Sequence, residues 1–64
     1  MSQGNIKWFD KKKGYGFVDY EGSDVFLHYS EILGKYIPED NDLISFEVIK
    51  GEKGLRAKEI SKVG

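Results

Sequence analysis

Residues Lys13-Gly14-Tyr15-Gly16-Phe17-Val18-Asp19-Tyr20 set aromatic rings, a lysine and two glycines in an order whose chemistry is base stacking. They fill every position of the pattern Lys/Arg-Gly-aromatic-Gly/Ala-Phe-Val-x-aromatic seen on RNA-binding strands. In an extended strand, side chains two apart share a face, so Tyr15 and Phe17 stand side by side. Gly14 and Gly16 are small and are expected to let bulky bases lie flat on those rings. Asp24-Val25-Phe26-Leu27-His28-Tyr29 repeats the design: Val25 and Leu27 share one face, Phe26 and His28 the other. Two strands that hide aliphatics and display aromatics make a stacking platform for unpaired bases.

A platform needs a sheet to carry it. Strand patterns run over about 4–10, 15–20, 24–29, 43–49 and 55–62, separated by turn chemistry. Lys11-Lys12-Lys13-Gly14, Glu21-Gly22-Ser23 and Lys50-Gly51-Glu52-Lys53-Gly54 make the short connections. The long one is 30–42, with Gly34, the single Pro38, and Ser30-Glu31-Ile32-Leu33 able to form one helical turn. Five strands with one long link between the third and fourth predict an all-β fold, a five-stranded antiparallel Greek-key barrel of the oligonucleotide-binding (OB) type. Closure would also remove exposed strand edges.

The inward side chains should be Ile6, Val18, Val25, Leu27, Ile32, Ile44, Phe46, Val48, Ala57 and Ile60. Ala57 and Ile60 are three apart, which breaks the period of two and predicts a bulge between them. The first strand is ambiguous. Ile6 and Trp8 have the same parity, so strict alternation would bury both, and periodicity alone does not choose.

The 64 residues make one domain, 1–64, that buries only about 60% of its unfolded surface. There is no cysteine, hence no disulfide framework, and a reducing cytoplasm is compatible. With His28 the only histidine, a multi-histidine metal site within one chain is excluded. No apolar run approaches the roughly 20 residues of a membrane helix, and no signal-peptide pattern opens the chain. The net charge of −1 does not advertise a polyanion binder, but its distribution is uneven. Residues 1–20 hold four lysines against two aspartates, 21–47 one lysine against seven acids, and 48–64 five basic residues against two glutamates. Basic ends brought together by a closed sheet would give a basic patch, with affinity leaning on stacking more than on charge.

Over essentially its whole length the chain resembles the cold-shock domain family. The resemblance rests on Gly4-Asn5-Ile6-Lys7-Trp8-Phe9, on Lys13-Gly14-Tyr15-Gly16-Phe17-Val18 and on Asp24-Val25-Phe26-Leu27-His28-Tyr29-Ser30, in matching order and spacing. The size is similar to that of a free-standing bacterial cold-shock protein. The resemblance implies an OB barrel that binds single-stranded RNA and DNA with weak sequence preference. It also implies an RNA chaperone of the stress response that melts secondary structure and modulates transcription and translation in the cytoplasm. It assigns the ligand surface to Lys7, Trp8, Phe9, Lys13, Tyr15, Phe17, Phe26, His28, Tyr29 and Tyr36, and places Trp8 outside. Phe9 would serve partly as packing at the rim, and Arg56 on the last strand would reach a backbone or a base. Four positions depart from the family pattern: Asp10 and Glu59 where asparagine is frequent, Leu55 where proline is, and Glu31 where a small residue is. They bear on base preference and affinity rather than on the fold.

Other chemistries fit less well. A calcium loop read from Asp40 would need glycine at its sixth place and glutamate at its twelfth, where Ser45 and Gly51 stand. The acidic run Glu39-Asp40-Asn41-Asp42 therefore reads as a solvated loop. Gly14-Tyr15-Gly16 lacks the third glycine and following helix of a phosphate loop. His28, Ser30 and Asp24 show no nucleophile elbow or oxyanion pair. An RNA-recognition motif would need two amphipathic helices. A sugar- or protein-binding barrel shares the aromatics, but the lysines around the rings favour nucleic acid. The expectation is a monomeric binder of single-stranded RNA and DNA, with no catalysis, cofactor, metal or membrane.

Overall fold

The computed structural model describes residues 1–63. Strands β1 (Ser2–Asp10), β2 (Tyr15–Tyr20) and β3 (Ser23–His28) form an antiparallel meander. A single 3₁₀ turn, Tyr29–Glu31, opens the long connection to β4 (Leu43–Gly51) and β5 (Gly54–Lys62). The strands close into a barrel in the order β1-β2-β3-β5-β4. A closed ring of five cannot alternate direction all the way round, so one contact must be parallel. That contact is β3 with β5, through Phe26 and Arg56.

The turns follow from their residues. Glu21 and Gly22 both take positive φ, 49° and 82°, as a two-residue hairpin turn of type I′ requires. At the β1–β2 turn, Asp10 Oδ1 accepts the N–H groups of Lys12 and Lys13 at 2.9 and 3.0 Å. Asp10 O accepts that of Gly14 at 2.7 Å.

Ile6, Val18, Val25, Leu27, Ile44, Phe46, Ala57 and Ile60 form the buried core, with Ile32 and Val48 half-buried against it. The expected bulge lies between Ala57 and Ile60. Glu47 pairs with Lys58 and Ser45 with Ser61, so β5 advances three residues while β4 advances two. Glu59 absorbs the extra residue with a left-handed φ of 52°.

A second bulge resolves the parity conflict in β1. Ile6 pairs with Val18 but Trp8 pairs with Phe17, leaving Lys7 as the extra residue. The face flips between them: Ile6 is buried and Trp8 emerges, 41% exposed.

Candidate nucleic-acid interface

The outward face of β1, β2 and β3 carries a cluster of aromatic side chains, bounded at one end by the exposed Asp19–Asp24 cross-strand pair. Phe17 and Phe26 are direct cross-strand partners, as are Tyr15 and His28. The neighbouring rings of this face meet at distances where edge-to-face and tilted pairs are favourable. Trp8 lies 5.8 Å from Tyr15 and 5.5 Å from Phe17 between centroids. Phe26 lies 5.8 Å from Phe17, 6.0 Å from Tyr15 and 6.4 Å from His28. His28 lies 4.7 Å from Tyr29. Arg56 reaches in from β5, its Cζ 5.8 Å from the Phe26 centroid. Trp8, Tyr15, Phe17, Phe26, His28, Tyr29 and Arg56 therefore form one continuous strip.

The rings stay outside because the opposite face is full. Val18, Val25 and Leu27 take the interior places of β2 and β3, so alternation leaves Phe17, Phe26 and His28 half-exposed. The flanking glycines have another purpose than the one expected of them. Gly16 points inward, where an added Cβ would lie 2.1 Å from the Trp8 carbonyl oxygen and 2.8 Å from Phe9 Cα. Its smallness admits the bulged β1 backbone, not a base. Gly14 takes a φ of +77° and sits under the Tyr29 ring. It serves the turn and seats that ring.

The remaining sequence-derived residues lie off the strip. Phe9 faces the other side of β1 from Trp8 and packs half-buried against the core. Its free edge joins Lys13, Tyr29, Tyr36 and Pro38 around a second groove, which meets the strip at Tyr29. Tyr36 is half-buried and donates its hydroxyl to Asp42 Oδ2 at 2.6 Å, with Lys62 Nζ 6.0 Å from its ring centroid. Burial and this carboxylate push the Tyr36 hydroxyl well above the ordinary tyrosine range. The same hydrogen bond holds Asp42 below the usual carboxylate range.

Lys7 is exposed, but its Nζ lies 2.6 Å from Asp24 Oδ1. That hydrogen bond, then the charge of Asp24, raises the lysine above its usual range. Lys11 is likewise paired, 2.7 Å from Glu39 Oε1. Lys13 is exposed on the turn.

The basic ends of the chain do not become neighbouring strands, because β4 stands between β1 and β5. Cationic groups instead stand at separate points around the rings: Lys7 and Lys13 on the β1 side, Arg56 on the β5 side.

Sequence reasoning missed the acids. The run 39–42 is a built turn rather than a merely solvated one. Asp40 Oδ1 accepts the Phe9 N–H at 3.3 Å and Asp42 Oδ2 that of Glu39 at 3.2 Å. Asn41 N–H donates to Ile6 O at 2.7 Å, and Ile6 N–H to Asp42 O at 2.9 Å. Asp40 thus docks the loop onto β1, Asp42 braces the loop internally, and Glu39 ties it to Lys11 in the β1–β2 turn. Among the described residues no group of three or more His, Cys, Asp or Glu is placed to hold a metal. The one available signal was Asp10 standing four residues before Gly14, a common opening for a side-chain-capped turn.

Comparison with known proteins places this geometry. The family model of the 'Cold-shock' DNA-binding domain matches residues 2–63. Cold shock protein CspB of Bacillus caldolyticus is 41% identical over 66 aligned positions, covering 98% of this chain and 100% of that protein. Cold shock protein CspA of Staphylococcus aureus (strain USA300) is 41% identical with the same coverage. Cold shock-like protein CspLB of Listeria monocytogenes is 36% identical, again over 98% and 100%. Among solved structures, the drosophila Unr CSD456 chain superimposes with a TM-score of 0.81 at 29% identity. The match spans 98% of this chain and 26% of that longer one.

Proposed function

The chain belongs to the cold-shock DNA-binding domain family, and from that premise we propose that its aromatic strip binds single-stranded RNA and DNA with weak sequence preference. Its work is that of an RNA chaperone: trapping unpaired bases shifts a hairpin toward its open form, and so modulates transcription and translation. The observation that carries this reading is the continuous run of outward-facing rings from Trp8 to Tyr29, exposed at its ends and half-exposed between them. Every base has a flat face, so stacking accepts any sequence, and each stacked base contributes about 1–3 kcal/mol. Trp8, Tyr15, Phe17, Phe26, His28 and Tyr29 take the bases. Tyr36 and Phe9 extend the path into the second groove, and Lys7, Lys13 and Arg56 meet the backbone.

The domain binds without catalysing. His28, the sole imidazole, is occupied through Nδ1 by Ser30, and among the described residues no acid is hydrogen-bonded to the ring. The protein acts as a cytoplasmic monomer. The strands follow one another round a closed barrel, which limits the free edge available to a second copy. No helix among the described residues is long and apolar enough to cross a membrane.

Trp8 fluorescence tests the reading. A pyrimidine-rich single strand should quench it, and the matching duplex, whose base faces are hidden in its own stack, should barely change it. Equal affinity for the two would overturn the assignment.

A further inference from the structure

Two donors converge on one nitrogen of His28. The Ser30 backbone N–H lies 3.2 Å from His28 Nδ1 and the Ser30 Oγ 2.9 Å from it. A backbone N–H can only donate, so Nδ1 must present its lone pair. In the neutral ring the proton then resides on Nε2. The Ser30 hydroxyl follows the same logic and donates to Nδ1. No protein acceptor among the described residues engages Nε2. The ring itself lies in the strip between Phe26 and Tyr29.

We propose that Ser30 is a positioning residue that fixes His28 in its Nε2–H form, so that His28 meets the bound strand as a dedicated hydrogen-bond donor and selects a nucleotide with an acceptor at that place. The proposal rests on the single-strand reading above and adds directionality to it. A stacked phenyl ring accepts any base face. An imidazole whose proton is already assigned also discriminates among edges: it favours a carbonyl oxygen or other lone pair and disfavours an amino group pointed at it. A base edge and a phosphodiester oxygen offer the same acceptor chemistry. The donor is set before binding, so the ligand need not reorganise the ring.

The experiment uses the fact that His28 is the only histidine, so its ring signals in ¹⁵N-labelled protein are unambiguous. In the free neutral protein, Nδ1 should resonate as an unprotonated nitrogen and Nε2 as a protonated one. A dominant Nδ1–H form would overturn the proposal. Oligothymidylate is then added until Trp8 quenching is complete, and the Nε2–H proton should become protected and move downfield. Full quenching with an unchanged Nε2–H sinks this inference alone, whereas absence of quenching sinks the single-strand reading instead. Two modified strands separate the sources. Loss of the Nε2–H change on replacing thymine by its difluorotoluene isostere assigns the contact to a base edge, as selection requires. Loss only with methylphosphonate linkages places it on the phosphodiester that every nucleotide carries and overturns the selection. His28→Phe keeps a ring and removes the donor, and should weaken oligothymidylate binding by up to about tenfold. Unaltered affinity in that variant would also overturn it.

Discussion

The Lys7 ammonium lies 2.6 Å from the Asp24 carboxylate at the edge of the aromatic strip, so one of the cations nearest the rings is already neutralised by the protein. Asp24 also lines the shallow groove beside Phe17, Phe26 and Arg56. With Lys11 paired as well, few lysines near the strip are free for phosphate. This arrangement favours binding through ring faces and limits the share carried by charge.

The salt dependence should therefore be shallow. With about three or four phosphates neutralised, at roughly −0.7 per phosphate, the log–log slope should lie near −2 to −3. Lys13→Gln should flatten it by about 0.7, and Lys7→Gln by less, because Asp24 already balances that charge. A much steeper slope, measured by titration across salt concentrations, would mean that charge dominates.

Truncating rings on the two faces should give opposite outcomes. Phe17→Ala or Phe26→Ala should each lose about 1–3 kcal/mol of single-strand affinity while the domain stays folded. Phe46, fully buried beside Tyr20, is the control: Phe46→Ala should cost about 3–5 kcal/mol of stability. Urea unfolding and binding titrations on the same variants separate the two effects.

Asp10 lies on the outward face opposite Tyr15, yet its Oδ1 is engaged by the turn. Asp10→Asn keeps an acceptor for Lys12 and Lys13 and removes a charge that repels phosphate. Affinity should rise by less than tenfold, about 1.4 kcal/mol, with the melting temperature little changed. Asp10→Ala should instead destabilise the domain by about 0.5–2 kcal/mol, the range for a lost side-chain cap. Weaker binding by Asp10→Asn at every salt concentration would identify Asp10 as an acceptor for the ligand.

Glu59 holds a left-handed φ of 52° in the β5 bulge, a conformation that costs most L-residues about 1–2 kcal/mol and asparagine less. Glu59→Asn should stabilise the barrel by up to about 1 kcal/mol, a rise in melting temperature of roughly 4–8 °C for a domain of this size. No gain in a thermal scan would mean that the glutamate is held there without strain.

Tyr36 and Asp42 should leave signatures at both ends of the pH scale. Asp42 is lowered by its bond from Tyr36, so its contribution is present above about pH 4 and is lost as pH falls through its depressed value. Tyr36 is raised by burial and by Asp42, so its contribution is present below about pH 10 and is lost on going further alkaline. Tyr36→Phe should remove both components, visible as flatter acid and alkaline limbs in urea-derived stability. Limbs identical to the wild type would show that the pair is not coupled to folding.

Strand positions, hairpin sites and most of the inward side chains were readable because alternation is a local signal, and each barrel face needs only that signal. The bulge at Glu59 was readable for the same reason, since Ala57 and Ile60 break the period. Lys7 was not, because Ile6 and Trp8 keep the period and only the pairing with β2 shows the flip. The true reason for Gly16 was equally hidden: it answers to a backbone on a neighbouring strand. The partners chosen by Asp24 and Asp42 depend on tertiary proximity and loop geometry that residue types alone do not encode.

The extra residue at Lys7 sits two residues beyond Asn5, where β1 passes from β4 to β2 as its partner. Substituting residue 7 leaves the faces as they are. Deleting it would let Ile6, Trp8 and Phe9 face Val18, Phe17 and Gly16 in unbroken alternation, so Trp8 would stay outside and Phe9 inside, and only the local bend of β1 would be lost. At this place the protein can therefore drift in length by one residue as well as in sequence, because the unpaired position changes the bend of β1 and not the side on which any ring stands.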